Sequence, residues 1–211
     1  MRRLFIIAVI FTLVNLPKIS QAQWSVGPHI VVSIPQQDFA NVSDAGGGFG
    51  IKGVYGFQSA LGLSLRGDFG YISYGSSFKT ISIGGRLVPA RTENQSFRLT
   101  VGPQFSFGTG RLKIQLFGMG GFYFYSTNVI FSSGFGGVFA DSQDNISELG
   151  WNVGGGIQYD IGLGPWLDVS VEYNTINNIP GPPNENDPNK RIDIDAKDIT
   201  LKIGVVFFIG G

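Results

Sequence analysis

Across most of the chain beyond residue 23, large apolar side chains recur at every second position, and small or charged residues stand between them. Period two is the signature of a β-strand, because successive side chains of a strand point to opposite faces. Helical spacing at three and four residues is hard to find. Trp24 to Val32 places its large apolar residues on even positions, with His29 on the other face. Phe49, Ile51, Tyr55 and Phe57 alternate with Gly48, Gly50, Lys52 and Gly56. Leu61 to Tyr71 sets Leu63, Leu65 and Phe69 against Ser64, Arg66 and Asp68. Phe97 to Phe107 opposes Arg98, Thr100 and Gln104, and Leu112 to Phe124 opposes Lys113, Gln115 and Tyr123. Trp151 to Tyr159 opposes Asn152, Gln158 and Asp160, and Leu167 to Tyr173 opposes Asp168, Ser170 and Glu172. Ile199 to Phe207 opposes Thr200, Lys202 and Gly204, which makes eight predicted strands.

The polarity of the two faces decides what such strands build. A soluble barrel points its bulky apolar residues inward, but eight bulky faces would overfill a small lumen. Lipid outside and a lumen of glycine, hydroxyls and charges fits this pattern. The composition agrees, with 32 glycines and 14% charged residues against an average near 7% glycine and about 25% charge. Backbone groups in lipid have no other partner, so the sheet must close on itself. A lipocalin-like soluble barrel is the competing reading. The predicted fold is therefore all-β, an eight-stranded antiparallel up-and-down transmembrane β-barrel over 23–211.

Residues 1–22 are expected to be a signal peptide. Arg2 and Arg3 precede an apolar run from Leu4 to Val14, and Ser20-Gln21-Ala22 offers small residues for cleavage. The run is too short for a spanning helix of about 20 residues. A retained anchor is the alternative. Removing Arg2, Arg3 and Lys18 from 15 basic side chains leaves 12 against 15 acidic ones, a net charge near −3. That balance gives no reason to expect nucleic acid.

Connection lengths alternate. Short turns are expected at Gln58-Ser59-Ala60, Gly108-Thr109-Gly110 and 162–165, and long loops at 35–47, 75–95, 126–147 and 176–196. Short turns at one end and long loops at the other is the outer-membrane arrangement, with periplasmic termini. A ten-strand barrel would recruit 78–88 and 128–139. The first stretch turns at Gly84-Gly85 and reads as a hairpin extending its neighbours beyond the membrane; glycines and serines break the second.

Leu99-Thr100-Val101-Gly102-Pro103-Gln104, the Lys113–Tyr125 segment, the Ile199–Phe208 segment and the leader together resemble the OmpA-like, or porin-family, outer-membrane β-barrel proteins. The resemblance covers essentially the whole chain after the leader. It implies a Gram-negative outer-membrane protein surrounded by lipid and lipopolysaccharide and inserted by the barrel-assembly machinery. Relatives of this kind serve structural, adhesion or interaction roles, with weak pore activity or none. The chain departs from the pattern by ending Phe207-Phe208-Ile209-Gly210-Gly211 rather than on an aromatic residue, and the peptidoglycan-binding domain of some relatives is not expected.

Two groups of residues are singled out. Lys52, Arg66, Arg98, Lys113 and Lys202 with Asp68, Asp160, Asp168 and Glu172 are expected to pair across the lumen, because unpaired buried charge is costly. Five positive against four negative groups nearly cancel, which favours a salt-bridged plug over a selective pore; a narrow ion path along the same residues is the alternative. Trp24, Phe57, Tyr71, Phe107, Phe124, Trp151, Tyr173 and Phe207 are expected at the membrane interfaces. Catalysis finds little support. Zero cysteine excludes a thiol nucleophile and a thiolate zinc site. His29 is the only histidine and no serine–acid set visibly accompanies it. Asp193, Asp195 and the acidic stretch 184–198 lack the spacing of a calcium loop. The glycine triplets at 46–48 and 154–156 open no helix, so they are not phosphate loops. No cofactor or metal is expected, and a surface ligand would be met through loops 126–147 and 176–196. A lipid-modifying enzyme is the remaining alternative.

Overall fold

A computed structural model describes residues 23–41, 43–57, 62–83, 86–108, 110–132, 138–184 and 187–209. The predicted leader therefore lies outside the described residues, as do the expected turn at 58–60 and the Gly84-Gly85 tip. Eight strands follow one another: β1 (Gln23–Gln36), β2 (Gly46–Gly56), β3 (Leu63–Ile83), β4 (Arg86–Phe107), β5 (Leu112–Ser132), β6 (Val138–Asp160), β7 (Trp166–Asn184) and β8 (Asp187–Ile209). Each pairs antiparallel with the next, and β8 returns to β1 to close the barrel. Within the closed part of the barrel every strand is paired on both sides, so no sheet edge faces the surroundings there. Among the described residues no helix is long and apolar enough to cross a membrane.

Parity along each strand sorts the side chains as the alternation predicts. Ile30, Phe49, Phe69, Leu99, Leu116, Val153, Val171 and Leu201 point outward and are exposed. Ser25, Lys52, Arg66, Thr100, Gln115, Asn152, Glu172 and Lys202 point inward and are buried. The inward face is not wholly polar, however. Val31, Ile72, Tyr74, Phe117, Met119, Tyr123, Tyr125, Ile176 and Val206 are buried there too. Glycine is what lets the ladders approach at several inward points. A Cβ on Gly102 would run into the Gly118 carbonyl oxygen, and one on Gly121 into that of Leu99.

The expected long loops at 75–95, 126–147 and 176–196 are corrected by the structure. The ladders continue through them, so β3 to β8 run 19 to 23 residues each. A tilted strand needs only about 9–11 residues to cross a bilayer, so three hairpin arms project well past the span. Backbone pairing does not depend on apolar side chains, and polar composition alone is a poor guide to loops. Register shifts at Tyr74/Ser77 and Ile176/Ile179 mark where two of the arms leave the barrel proper. The stretches 78–88 and 128–139 each fall across the two paired halves of one arm, so among the described residues no ninth or tenth strand forms. The short links hold at the opposite end, where Gly108, Gly110, Gly162 and Gly164 take the left-handed backbone that such turns need.

Candidate functional site

The lumen brings together most of the charged residues read from the alternation. Lys52 enters from β2, Arg66 and Asp68 from β3, Asp168 and Glu172 from β7, and Lys202 from β8; all are buried. Four of them close a ring of alternating charge. Arg66 Nη2 donates to Asp68 Oδ2 at 3.0 Å and to Glu172 Oε1 at 3.1 Å. Lys202 Nζ lies 2.8 Å from Asp68 Oδ1 and 2.8 Å from Glu172 Oε1. The Arg66 guanidinium also stacks 3.9 Å from the centroid of Phe117. Lys52 and Asp168 form a separate pair at 2.5 Å. His29 borders the ring, its Nε2 3.8 Å from Asp68 Oδ1.

A second layer lies toward the arms. Arg98 donates to Thr200 Oγ1 at 3.3 Å, and that hydroxyl donates to Asp198 Oδ1 at 2.7 Å. Asn174 Nδ2 donates to the same carboxylate oxygen at 2.7 Å, and the Tyr74 hydroxyl donates to Asp198 Oδ2 at 3.1 Å. Tyr123 joins through Asn174 and Asn152 at 3.3 Å each. Asp198 was not among the residues singled out from sequence, because it ends a stretch read as solvated loop. Its signal was present all the same, since Asp198, Thr200 and Lys202 share one parity.

The arm-side mouth holds a stopper that sequence reasoning missed. After β1 the chain makes a 3-10 turn, Gln37–Asn41, within the segment expected to be a loop. It inserts Phe39, only 2% exposed, among Val31, Ile72, Tyr74, Tyr125 and Ile176. The Phe39 ring centroid lies 5.3 Å from that of Tyr74 and 5.7 Å from that of Tyr125, in edge-on geometry. Ser43 meets the Tyr125 hydroxyl at 3.0 Å and accepts from Asn94 Nδ2 at 2.8 Å, which pins the segment after the turn.

Lys113 and Asp160 do not join the network. Both sit at strand ends beside turns, too near the rim to reach the ring. Lys113 Nζ lies 4.6 Å from the Trp166 ring and 5.2 Å from the Phe208 ring. Asp160 accepts the Gly162 N–H at 2.8 Å and so caps the turn. Asp195, in the acidic stretch that lacks calcium-loop spacing, pairs with Lys197 at 3.4 Å. Among the described residues no group of three acidic or histidine side chains is placed to hold a metal.

On the outer wall the aromatic residues fall into two bands. Phe49, Tyr71, Phe97 and Phe124 are register partners across β2 to β5 and make a continuous row. Trp151 and Tyr173 pack at 6.3 Å between centroids, farther round the barrel. Nearer the termini stand Trp24, Phe57, Phe107 and Phe207, with Tyr55 bridging the first two at 4.7 and 5.3 Å. On β4 the bands are ten residues apart, from Phe97 to Phe107. That is the length a tilted strand needs to cross.

Residues 6–207 match the family model for the outer membrane protein beta-barrel domain. The chain belongs to that family. This places the barrel in the outer membrane and its apolar wall against lipid. The fold is similar to that of a major outer membrane protein of Thermus thermophilus, at TM-score 0.58 and 13% identity over 89% of this chain and 99% of the other. It is also similar to Ail of Yersinia pestis, solved with the heparin analogue sucrose octasulfate, at TM-score 0.51 and 19% identity over 89% and 99%. No curated protein sequence matches the chain.

Proposed function

We propose that this outer-membrane barrel is non-enzymatic and non-conducting, with a structural or surface-interaction role. The observation that carries the reading is the lumen. Its ring of Arg66, Asp68, Lys202 and Glu172 is buried and mutually neutral, and Phe39 closes the mouth above it. A selective pore would favour a ring of one sign along its path. His29 faces that ring from inside the wall, where no lipid substrate reaches it, and so gives no support to a lipid-modifying activity.

In this reading residues 1–22 are a leader removed on export, and the mature barrel of residues 23–211 is inserted by the assembly machinery. The termini and short turns face the periplasm. The arms that contain 126–147 and 176–196 stand outside among lipopolysaccharide and meet any extracellular ligand. Because Ail was solved with a heparin analogue, a sulfated glycan is the first probe to offer those arms. The decisive experiment is single-channel recording of the purified barrel in a planar bilayer, after a mobility shift on boiling has established folding. Silence is expected. Stable conductance steps from wild-type protein would overturn the closed-lumen reading and favour a small porin-like channel.

A further inference from the structure

Gly53 of β2 and Gly67 of β3 are direct register partners, and both occupy outward positions in the lipid-facing wall. A glycine inside a strand weakens it relative to alanine and usually marks a close approach of other atoms. That reason explains Gly102 and Gly121. It does not explain this pair. Nothing lies within 4 Å of a Cβ built on Gly53, and the nearest atom to one on Gly67 is the Thr100 carbonyl oxygen at 3.9 Å. Neither residue has a left-handed backbone. The barrel itself would accept a side chain at both positions.

What the pair creates is a hollow. Gly53 and Gly67 floor an apolar groove of about 570 Å³, walled by Trp24, Tyr55, Leu65 and Phe69, with Leu99 and Val101 beyond. We propose that this groove is a lipid-binding site that seats one acyl chain of a phospholipid against the bared backbone. The surrounding face belongs to an outer-membrane barrel, so hydrocarbon is what covers it. In such a solvent, close packing rather than the hydrophobic effect distinguishes one site from another. A groove lets a chain touch floor and walls together, whereas a convex wall offers one side only. Trp24 and Tyr55 stand at its rim, where amphipathic rings meet headgroups. The groove lies toward the end that holds the termini. On the proposed orientation that is the periplasmic leaflet, so the occupant is a phospholipid rather than lipopolysaccharide.

The test uses the full mature barrel, folded in micelles with phosphatidylethanolamine or, separately, with lipid A, and counts retained lipid by native mass spectrometry. Gly53→Leu/Gly67→Leu fills the floor, and at neither position does the added Cβ clash with a neighbour. Gly47→Leu, another exposed outward glycine with open space around it, is the control. Wild type and control should retain one phosphatidylethanolamine, and the double variant should lose retention by about tenfold while keeping its mobility shift on boiling. In a Trp151→Phe/Trp166→Phe background, quenching of Trp24 by brominated phosphatidylethanolamine should fall in parallel. Equal retention in all three proteins overturns the site. Retention of lipid A in place of phosphatidylethanolamine overturns the assigned occupant. A dimer in wild type that the double variant abolishes, without retained lipid, assigns the groove to a second copy and overturns the proposal.

Discussion

Arg66→Met tests whether the lumen is a dry, closed network or a wetted path. Arg66 is fully buried and holds two carboxylates, Asp68 at 3.0 Å and Glu172 at 3.1 Å. Methionine keeps much of the side chain's bulk over Phe117 but removes the positive charge. The ring is then left with Lys202 alone against two carboxylates. Removing one partner of a buried charge set typically costs about 3–5 kcal/mol, because the remaining charge stays desolvated. An exposed pair in water would cost less than about 1 kcal/mol. The double variant Arg66→Met/Glu172→Gln restores neutrality, leaving the Lys202–Asp68 contact at 2.8 Å. It should therefore be more stable than Arg66→Met alone, with a coupling energy of about 2 kcal/mol. Urea titration of the barrel in phospholipid vesicles reads both numbers, with folded fraction scored by the mobility of unboiled samples. A cost below about 1 kcal/mol for Arg66→Met, or additive effects in the double variant, would refute the dry ring.

Phe39→Ala should cost about 3 kcal/mol or more if local opening is coupled to global unfolding, as for other buried phenylalanines. Hydrogen exchange over 37–45 should accelerate, while bilayer recordings stay silent because the ring beneath is intact. Gly102→Ala should destabilise by about 1–3 kcal/mol through overpacking, whereas Gly53→Ala should be neutral or mildly stabilising; urea midpoints of the two variants compare them directly. Lys113→Met removes a cation from the Trp166 face and should cost about 0.5–1 kcal/mol. Its accompanying sign is a shift in Trp166 emission, read with Trp24 and Trp151 replaced by phenylalanine. Loss of residues 181–191, at the far end of the β7–β8 arm, should leave the mobility shift on boiling unchanged.

The architecture was legible because parity is a strong code. A shift of one residue would exchange the two faces of a strand, so Arg66, Asp68, Glu172 and Lys202 could be placed inside before any contact was known. Which of them would touch was not legible. The contacts depend on shear around the barrel, which brings residue 66 to residue 172 across the lumen. The arms were misread for a different reason. Their polar, proline-bearing composition matches that of loops, yet a hairpin already registered by the wall can continue on backbone bonds alone. Phe39 carried no periodic signal, since it belongs to no strand, and its burial follows from a turn whose path only the folded mouth defines. Asp198 shows the limit most sharply. The same alternation that located Lys202 included it, and a composition-based boundary cut it off.

The two faces also explain why the lumen is balanced rather than simply polar. An eight-stranded barrel has little interior space beyond its own side chains, so water cannot freely solvate charges at its centre. Apolar filling would solve that problem inside the membrane but would make both faces of every strand hydrophobic. Such a chain would be aggregation-prone before insertion. Alternation avoids this: mean hydropathy stays at +0.15, and no segment beyond residue 22 has the long apolar run of a spanning helix. The consequence is that polar groups end up in a confined interior and must satisfy one another. Arg66, Asp68, Lys202 and Glu172 pair as a closed ring, and Arg98, Thr200, Asp198, Asn174 and Tyr74 form a hydrogen-bonded layer above it, while Arg66 Nε and Nη1, Arg98 Nη1 and Glu172 Oε2 have no hydrogen-bond partner among the described residues. An interior of paired polar side chains thus follows from the requirements of a chain that must stay dispersed in water and then turn its apolar side outward.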